Sequence, residues 1–285
     1  MPVLAFFAGP GRSAEQAARL TGVMTTIDYA EPAVSLADAR MPLLGLGTWQ
    51  IRNSDAPAAT AAALAAGYRH IDTATGYANE AGIGKGLRTA NLPRESVFLT
   101  TKMPPDNVGR ERQTLEQSLT KLGVDYVDLW LVHWPPHRQA CPEAWEEFVR
   151  ARSDGLARSI GVSNYSLSQI DELTQATGVT PEVNQIRWGT SIYDPAVVSG
   201  LEQRGVVLEG YSPFKASNLD DPTLVRIGTS HDASAAQIIV AWHVAHGFVV
   251  IPKSVHQDRI VANAAGARIE LTADEVAAID GLSGR

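Results

Sequence analysis

Four side chains in this sequence could together deliver a proton to a carbonyl oxygen. Asp72, Tyr77, Lys102 and His133 lie at or just past the C-terminal ends of three consecutive apolar runs, in "GYRHIDTATGYANE", "VFLTTK" and "YVDLWLVHWP". A free tyrosine titrates near ~10, too high for easy donation at neutral pH, and a nearby ammonium is expected to lower that value. Lys102 is the expected source of the charge, and Asp72 is expected to keep that lysine ionised and aimed. His133 is expected to donate a hydrogen bond to the substrate oxygen, leaving Tyr77 as the general acid. The set has neither the His and Cys cluster of a metal site nor a Ser or Cys coupled to a base. A protonated carbonyl still needs something to add to its carbon. With no protein nucleophile evident, hydride from a nicotinamide is the natural co-reactant. Taken singly, each residue also admits a plainer role: Asp72 as a helix cap, Lys102 as a solvated lysine, His133 as a core histidine.

The elements that must position these groups follow from the hydrophobic pattern. From Leu43 onward, short apolar runs alternate with helical patterns of Ala, Leu, Glu and Gln. The runs are "LLGLGTW", "RHIDTA", "VFLTTK", "YVDLWLVH", "SIGVSN", "EVNQIRW", "VVLEGYSP" and "FVVIPKS". Helices are predicted over 56–66, 110–122, 142–153, 167–177, 195–203 and 234–245, several followed by a stop glycine: Gly67, Gly123, Gly178, Gly205 and Gly247. Eight strands alternating with helices predict an α/β fold, a (β/α)8 TIM barrel in a single domain, with strands buried on both faces. In such a barrel the C-terminal strand ends converge, so their polar residues ring one pocket. Beyond the first four, these are Ser163 with Asn164, Gln185, Tyr211 with Ser212, and Lys253 with Ser254. Ser163, Asn164 and Gln185 suit a carboxamide, and the Tyr211 ring could stack on a nicotinamide. Lys253, Ser254 and Arg259 suit a phosphate monoester just after the last strand. Trp49 and Trp134 are expected as apolar pocket walls, and Trp188 as either wall or core.

Composition narrows the partners. The chain has 285 residues, a net charge of -7 and one cysteine, Cys141. An acidic balance disfavours nucleic acid and anionic membranes as partners. A lone cysteine can form no internal disulfide. No apolar run reaches the length of a spanning helix, and the N-terminus lacks a basic signal-peptide region, so a cytoplasmic protein is expected. Residues 1–25 read as an N-terminal extension, and 26–285 as the barrel. Within the extension, Gly9, Gly11 and Ala14, with Asp28 downstream, mimic a dinucleotide-binding fingerprint. The regular βα alternation begins only later, which weakens that reading, and Met24 could itself start a chain.

From about Thr26 to Leu282 the sequence resembles the aldo-keto reductase superfamily. The resemblance is carried by "LGLGTWQ", "GYRHIDTATGYANE", "FLTTK", "LWLVHWP", "SIGVSN", "VNQI", "EGYSP" and "VVIPKS" with the following "RIVAN". It implies a carbonyl reductase, an NADPH-dependent oxidoreductase with Asp72, Tyr77, Lys102 and His133 as its catalytic tetrad. It also implies Ser163, Asn164, Gln185 and Tyr211 at the nicotinamide, Lys253, Ser254 and Arg259 at the adenosine 2′-phosphate, and Asn263 at the adenine. No metal is expected, and a monomer acting on a small carbonyl compound is. A non-catalytic NADPH-binding regulator of the same fold is the alternative. The chain departs from many relatives at Ala262, in "RWGTSIYDP" after "NQI", at Phe214, Lys215 and Ala216 after "YSP", and in its short C-terminal tail.

Overall fold

A computed structural model describes residues 32–284. The extension read over 1–25, the fingerprint at Gly9, Gly11 and Ala14, and Asp28 lie outside the described residues.

The eight apolar runs become eight parallel strands, because each is buried on both faces and cannot face water on either. They follow a two-stranded hairpin made of β1 (Ala33–Ser35) and β2 (Arg40–Pro42). The barrel strands are β3 (Leu46–Gly47), β4 (His70–Asp72), β5 (Phe98–Met103), β6 (Val127–Val132), β7 (Ala157–Ser163), β8 (Val183–Arg187), β9 (Val207–Tyr211) and β10 (Val249–Ile251). They pair in sequence order from β3 to β10. The ring closes where Gly45 N donates to Val250 O at 2.9 Å and Val250 N to Leu43 O at 2.7 Å. Closure removes the exposed sheet edges and makes the strand ends a ring rather than a row.

Two apolar layers hold the barrel. Outside it, Trp130 of β6 stacks on Phe148 of the 142–153 helix at a centroid distance of 3.6 Å, and Trp145 and Trp242 are buried in the same core. Inside, Met41 and Leu43 pack with Phe98, Leu129, Val183 and Val249, most of which lie at the N-terminal starts of their strands. The hairpin residues Val34 and Leu36 pack on this cluster, so the N-terminal mouth is plugged and the C-terminal mouth is the accessible one.

The predicted helices at 142–153 and 167–177 occur with those bounds, and the others differ by a residue or so. All five stop glycines adopt left-handed φ angles, from 67° to 101°, which a side chain would oppose. A helix over Glu80–Ala90 was not read from the sequence. It carries Gly82, Gly84 and Gly86, which lower helix propensity. Their use is in packing: a Cβ on Gly84 would collide with the Leu122 carbonyl, and one on Gly86 would come within 2.6 Å of Thr60 Cβ. Close approach to neighbouring helices outweighs intrinsic preference here.

Candidate active site

The lysine is the most constrained group at the C-terminal mouth. Lys102, on the inward face of β5, is fully buried, and its Nζ donates to Asp72 Oδ1 at 2.6 Å, Asp72 Oδ2 at 2.7 Å and Thr73 O at 2.9 Å. All three donors of the ammonium are therefore satisfied without water. Asp72, 2% exposed, also accepts from Gln185 Nε2 at 2.8 Å, a contact spanning 113 residues of sequence. Burial pushes the Asp72 carboxyl up, while Lys102 and Gln185 pull it down. Burial likewise pulls Lys102 down, but its neighbours, Asp72 foremost, more than offset it, and the ammonium lies above its ordinary value. The pair is held charged by its own contacts.

Tyr77 reaches this pair from a short 3-10 turn, Thr75–Tyr77, that follows β4. The turn is pinned by Asn79, which is fully buried: its Nδ2 donates to Thr48 O at 2.9 Å and Ile51 O at 3.0 Å, and its Oδ1 accepts from Thr73 Oγ1 at 2.8 Å. That asparagine ties the Tyr77 loop to the loop carrying Trp49. Sequence reasoning passed over it, because a loop asparagine gives no sign of being buried. The Lys102 ammonium lies 5.1 Å from the Tyr77 ring centroid, and the His133 ring meets Tyr77 edge-on at 5.5 Å.

Lys102 does act to lower the Tyr77 pKa, as expected, but the net shift is upward. Burial pushes the phenol above its ordinary value, and Lys102 opposes that rise without overcoming it. The phenol therefore keeps its proton at neutral pH, beside an ammonium whose charge favours the phenolate. Burial, aided by the Lys102 charge, pulls His133 down to about 3, so its imidazole is neutral and can still donate one N–H.

The residues proposed for the nicotinamide side form a connected polar chain. Ser163 Oγ donates to Gln185 O at 2.8 Å, Asn164 Nδ2 to Ser163 Oγ at 2.9 Å and His133 O at 3.2 Å, and Tyr211 Oη to Asn164 Oδ1 at 2.9 Å. With Ser212 and Lys253 they line one cavity of about 500 Å3 that also contains Asp72, Tyr77 and His133. Trp49 and Trp134, each about half exposed, form its walls. Trp188 does not: it is buried, edge-on to Tyr193 and Phe248, and belongs to the core. Ser254, Arg259 and Asn263 fall outside the cavity lining. Ser254 is buried and accepts from His256 N at 3.0 Å; Arg259 is exposed and Asn263 buried on the helix Gln257–Gly266. Two cations not read as site residues do line the cavity, Arg187 and Lys215. Arg187 Nη2 donates to Lys215 O at 2.7 Å, and Lys215 Nζ lies 5.0 Å from the Trp49 ring centroid. Arg187 stands two residues past Gln185, the one sequence signal that could have found it. Among the described residues no group of His, Cys, Asp and Glu could hold a metal ion, and no helix is long and apolar enough to cross a membrane.

The cavity chemistry fits a reduced nicotinamide dinucleotide. Amide and hydroxyl groups stand beside the aromatic face of Tyr211, and Arg187, Lys215 and Lys253 supply positive charge along the same lining.

Comparisons with known proteins agree with the geometry. A family model described as the aldo/keto reductase family matches residues 43–283. The chain is similar to an aldo-keto reductase of Mycobacterium sp. (strain KMS), 40% identical over 256 residues covering 88% of this chain and 93% of that protein. It is 39% identical to methylglyoxal reductase DkgA of Salmonella typhimurium, over 84% of this chain and 88% of that one. Among solved structures, a Bombyx mori aldo-keto reductase in complex with NADP superposes with a TM-score of 0.80 at 33% identity, covering 89% of this chain and 93% of that chain.

The buried pair carries a stability prediction. Lys102→Met leaves the Asp72 carboxylate buried without its counter-charge, which should cost about 3 to 5 kcal/mol at neutral pH. A carboxyl whose folded pKa is raised is penalised above that pKa and relieved below it. Urea unfolding should therefore show the deficit shrinking as pH falls. A deficit that is constant with pH would contradict the assignment.

Proposed function

The chain belongs to the aldo/keto reductase family, and from that premise we propose that it reduces a small aldehyde or ketone to the alcohol with NADPH. The observation that carries the reading is the Lys102 ammonium, fixed by both oxygens of Asp72 and 5.1 Å from the ring of Tyr77, which lines one cavity with His133. When bound, NADPH supplies the hydride. The protein's own residues manage the oxygen. His133, neutral, donates a hydrogen bond that polarises and orients the carbonyl. Tyr77 gives up its phenolic proton to the developing alkoxide, and Lys102 stabilises the phenolate left behind. Asp72 and Thr73 O keep Lys102 in place while the charge moves.

Ser163, Asn164 and Gln185 are proposed to hold the carboxamide and Tyr211 to stack on the ring. Lys253, Ser254 and Arg259 are proposed to read the 2′-phosphate, with Asn263 at the adenine. That a solved relative carries NADP supports this choice. The relative named for methylglyoxal makes compact dicarbonyls the first substrates to assay, and the tryptophan walls suit a small carbonyl with some apolar surface.

Two measurements test the reading. Tyr77→Phe should lower kcat for aldehyde reduction by about 10² to 10⁴, the usual worth of general acid catalysis, with NADPH affinity nearly unchanged. Retention of wild-type kcat would sink the tyrosine assignment. Arg259→Ala should weaken NADPH by roughly tenfold to a hundredfold and leave NADH nearly unchanged, since only the 2′-phosphate distinguishes them. Equal losses for the two cofactors in titration experiments would mean that Arg259 does not read that phosphate.

A further inference from the structure

The barrel interior beneath the candidate site is polar where a purely structural core would be apolar. Glu209 on β9 is fully buried. It stands in register with Gln185 on β8 and Val249 on β10, two residues before Tyr211 on the same inward face. His70 and Thr100 precede Asp72 and Lys102 by the same two residues. His70 Nε2 lies 3.2 Å from Thr100 Oγ1 and 3.7 Å from Glu209 Oε1. Neither oxygen of Glu209 has a hydrogen-bond partner among the described residues. Gln185 links the two layers: its amide donates to Asp72, and it also pulls the proton affinity of the Glu209 carboxyl down. His243 packs against the opposite face of β9, with its Nε2 3.2 Å from where a Gly210 Cβ would be.

A buried carboxyl without donors is costly to ionise and is an expensive choice for mere filling. We propose that Glu209 is a positioning residue for the proton transfer: its carboxyl, uncharged in the working site, sets through Gln185, Asp72 and Lys102 how tightly Tyr77 holds its proton. This rests on the reading of Tyr77 as general acid. A charge on Glu209 would compete with Asp72 for the ammonium and the Gln185 amide, and would repel the Tyr77 phenolate.

The groups that face Glu209 are His70 and Asp72 on β4, Lys102 on β5, Gln185 on β8 and the Tyr77 loop. Burial, reinforced by the Asp72 charge, raises the Glu209 carboxyl to about 8, against the pull of Gln185 and Lys102. Burial pulls His70 down to about 3, so it offers no positive charge in return. The sign for stability follows. Glu209 binds its proton more tightly folded than unfolded, so its contribution falls as pH rises from the ordinary carboxylate range through about 8.

The test replaces the acid by neutral side chains, Glu209→Gln and Glu209→Met. Tyr77 titration is read from phenolate absorbance, as the difference between each protein and its Tyr77→Phe counterpart. Thermal unfolding is followed across the same pH range. The expected result is a Tyr77 midpoint displaced to lower pH in the variants, together with loss of the fall in Tm expected of the wild type as pH rises from the ordinary carboxylate range to about 8. An unchanged Tyr77 midpoint overturns the proposal. So does failure of both variants to fold at neutral pH, because an uncharged side chain is what the proposal places there. The absorbance readout needs no turnover. A wild-type protein that fails to oxidise NADPH with any carbonyl would therefore refute the functional reading separately.

Discussion

A lysine with no access to water dominates the chemistry of this barrel. An ammonium taken into a protein interior loses its hydration, and only close, complete pairing makes that tolerable. Lys102 has such pairing, with two carboxylate oxygens and one carbonyl taking its three protons. Everything near it is arranged to keep Asp72 in place: Gln185 reaches Asp72 from β8, and Thr48 Oγ1 donates to the Asp72 carbonyl at 2.9 Å. The ring of strands is what allows residues from β4, β5 and β8 to meet at one point.

The proposed acid is held by different means. Tyr77 lies on a turn rather than a strand, and a turn would ordinarily be the least precise place for a catalytic group. Asn79 compensates by fastening that turn to the β3 loop with buried hydrogen bonds. Burial then raises the phenol's proton affinity, and Lys102 offsets part of the rise. The same balance appears in His133, which burial keeps neutral beside a full positive charge. A protonated phenol, a neutral imidazole and a fixed cation are thus three outcomes of a single dry environment.

Much of this was legible in the sequence, and the illegible parts share a cause. The apolar runs and the stop glycines report local preferences, so the strands, most helices and the turn glycines were readable. The polar residues at the strand ends were readable as a ring because barrel topology turns sequence order into spatial order. The Glu80–Ala90 helix was not, since its glycines serve contacts with Leu122 and Thr60 that no local pattern encodes. The sign of the Tyr77 shift depends on burial, which the residue types around it do not state. The sequence left Trp188 open between pocket wall and core, and burial places it in the core. Gln185 looked like a cofactor ligand alone, and its bond to Asp72 appears only once the barrel closes. Glu209 gave no signal, being one acid within an otherwise ordinary apolar strand.

The central claim is that Asp72, Lys102 and Tyr77 act as one proton-donating unit, with Asp72 working only through the other two. A double-mutant cycle on kcat/KM for aldehyde reduction, with Asp72→Asn and Tyr77→Phe, measures this directly, because groups that act as a unit lose their effects together. The account predicts that the double variant is no slower than Tyr77→Phe alone. Losses that multiply across the two substitutions would contradict it, since Asp72 would then be contributing by a route that does not pass through Tyr77.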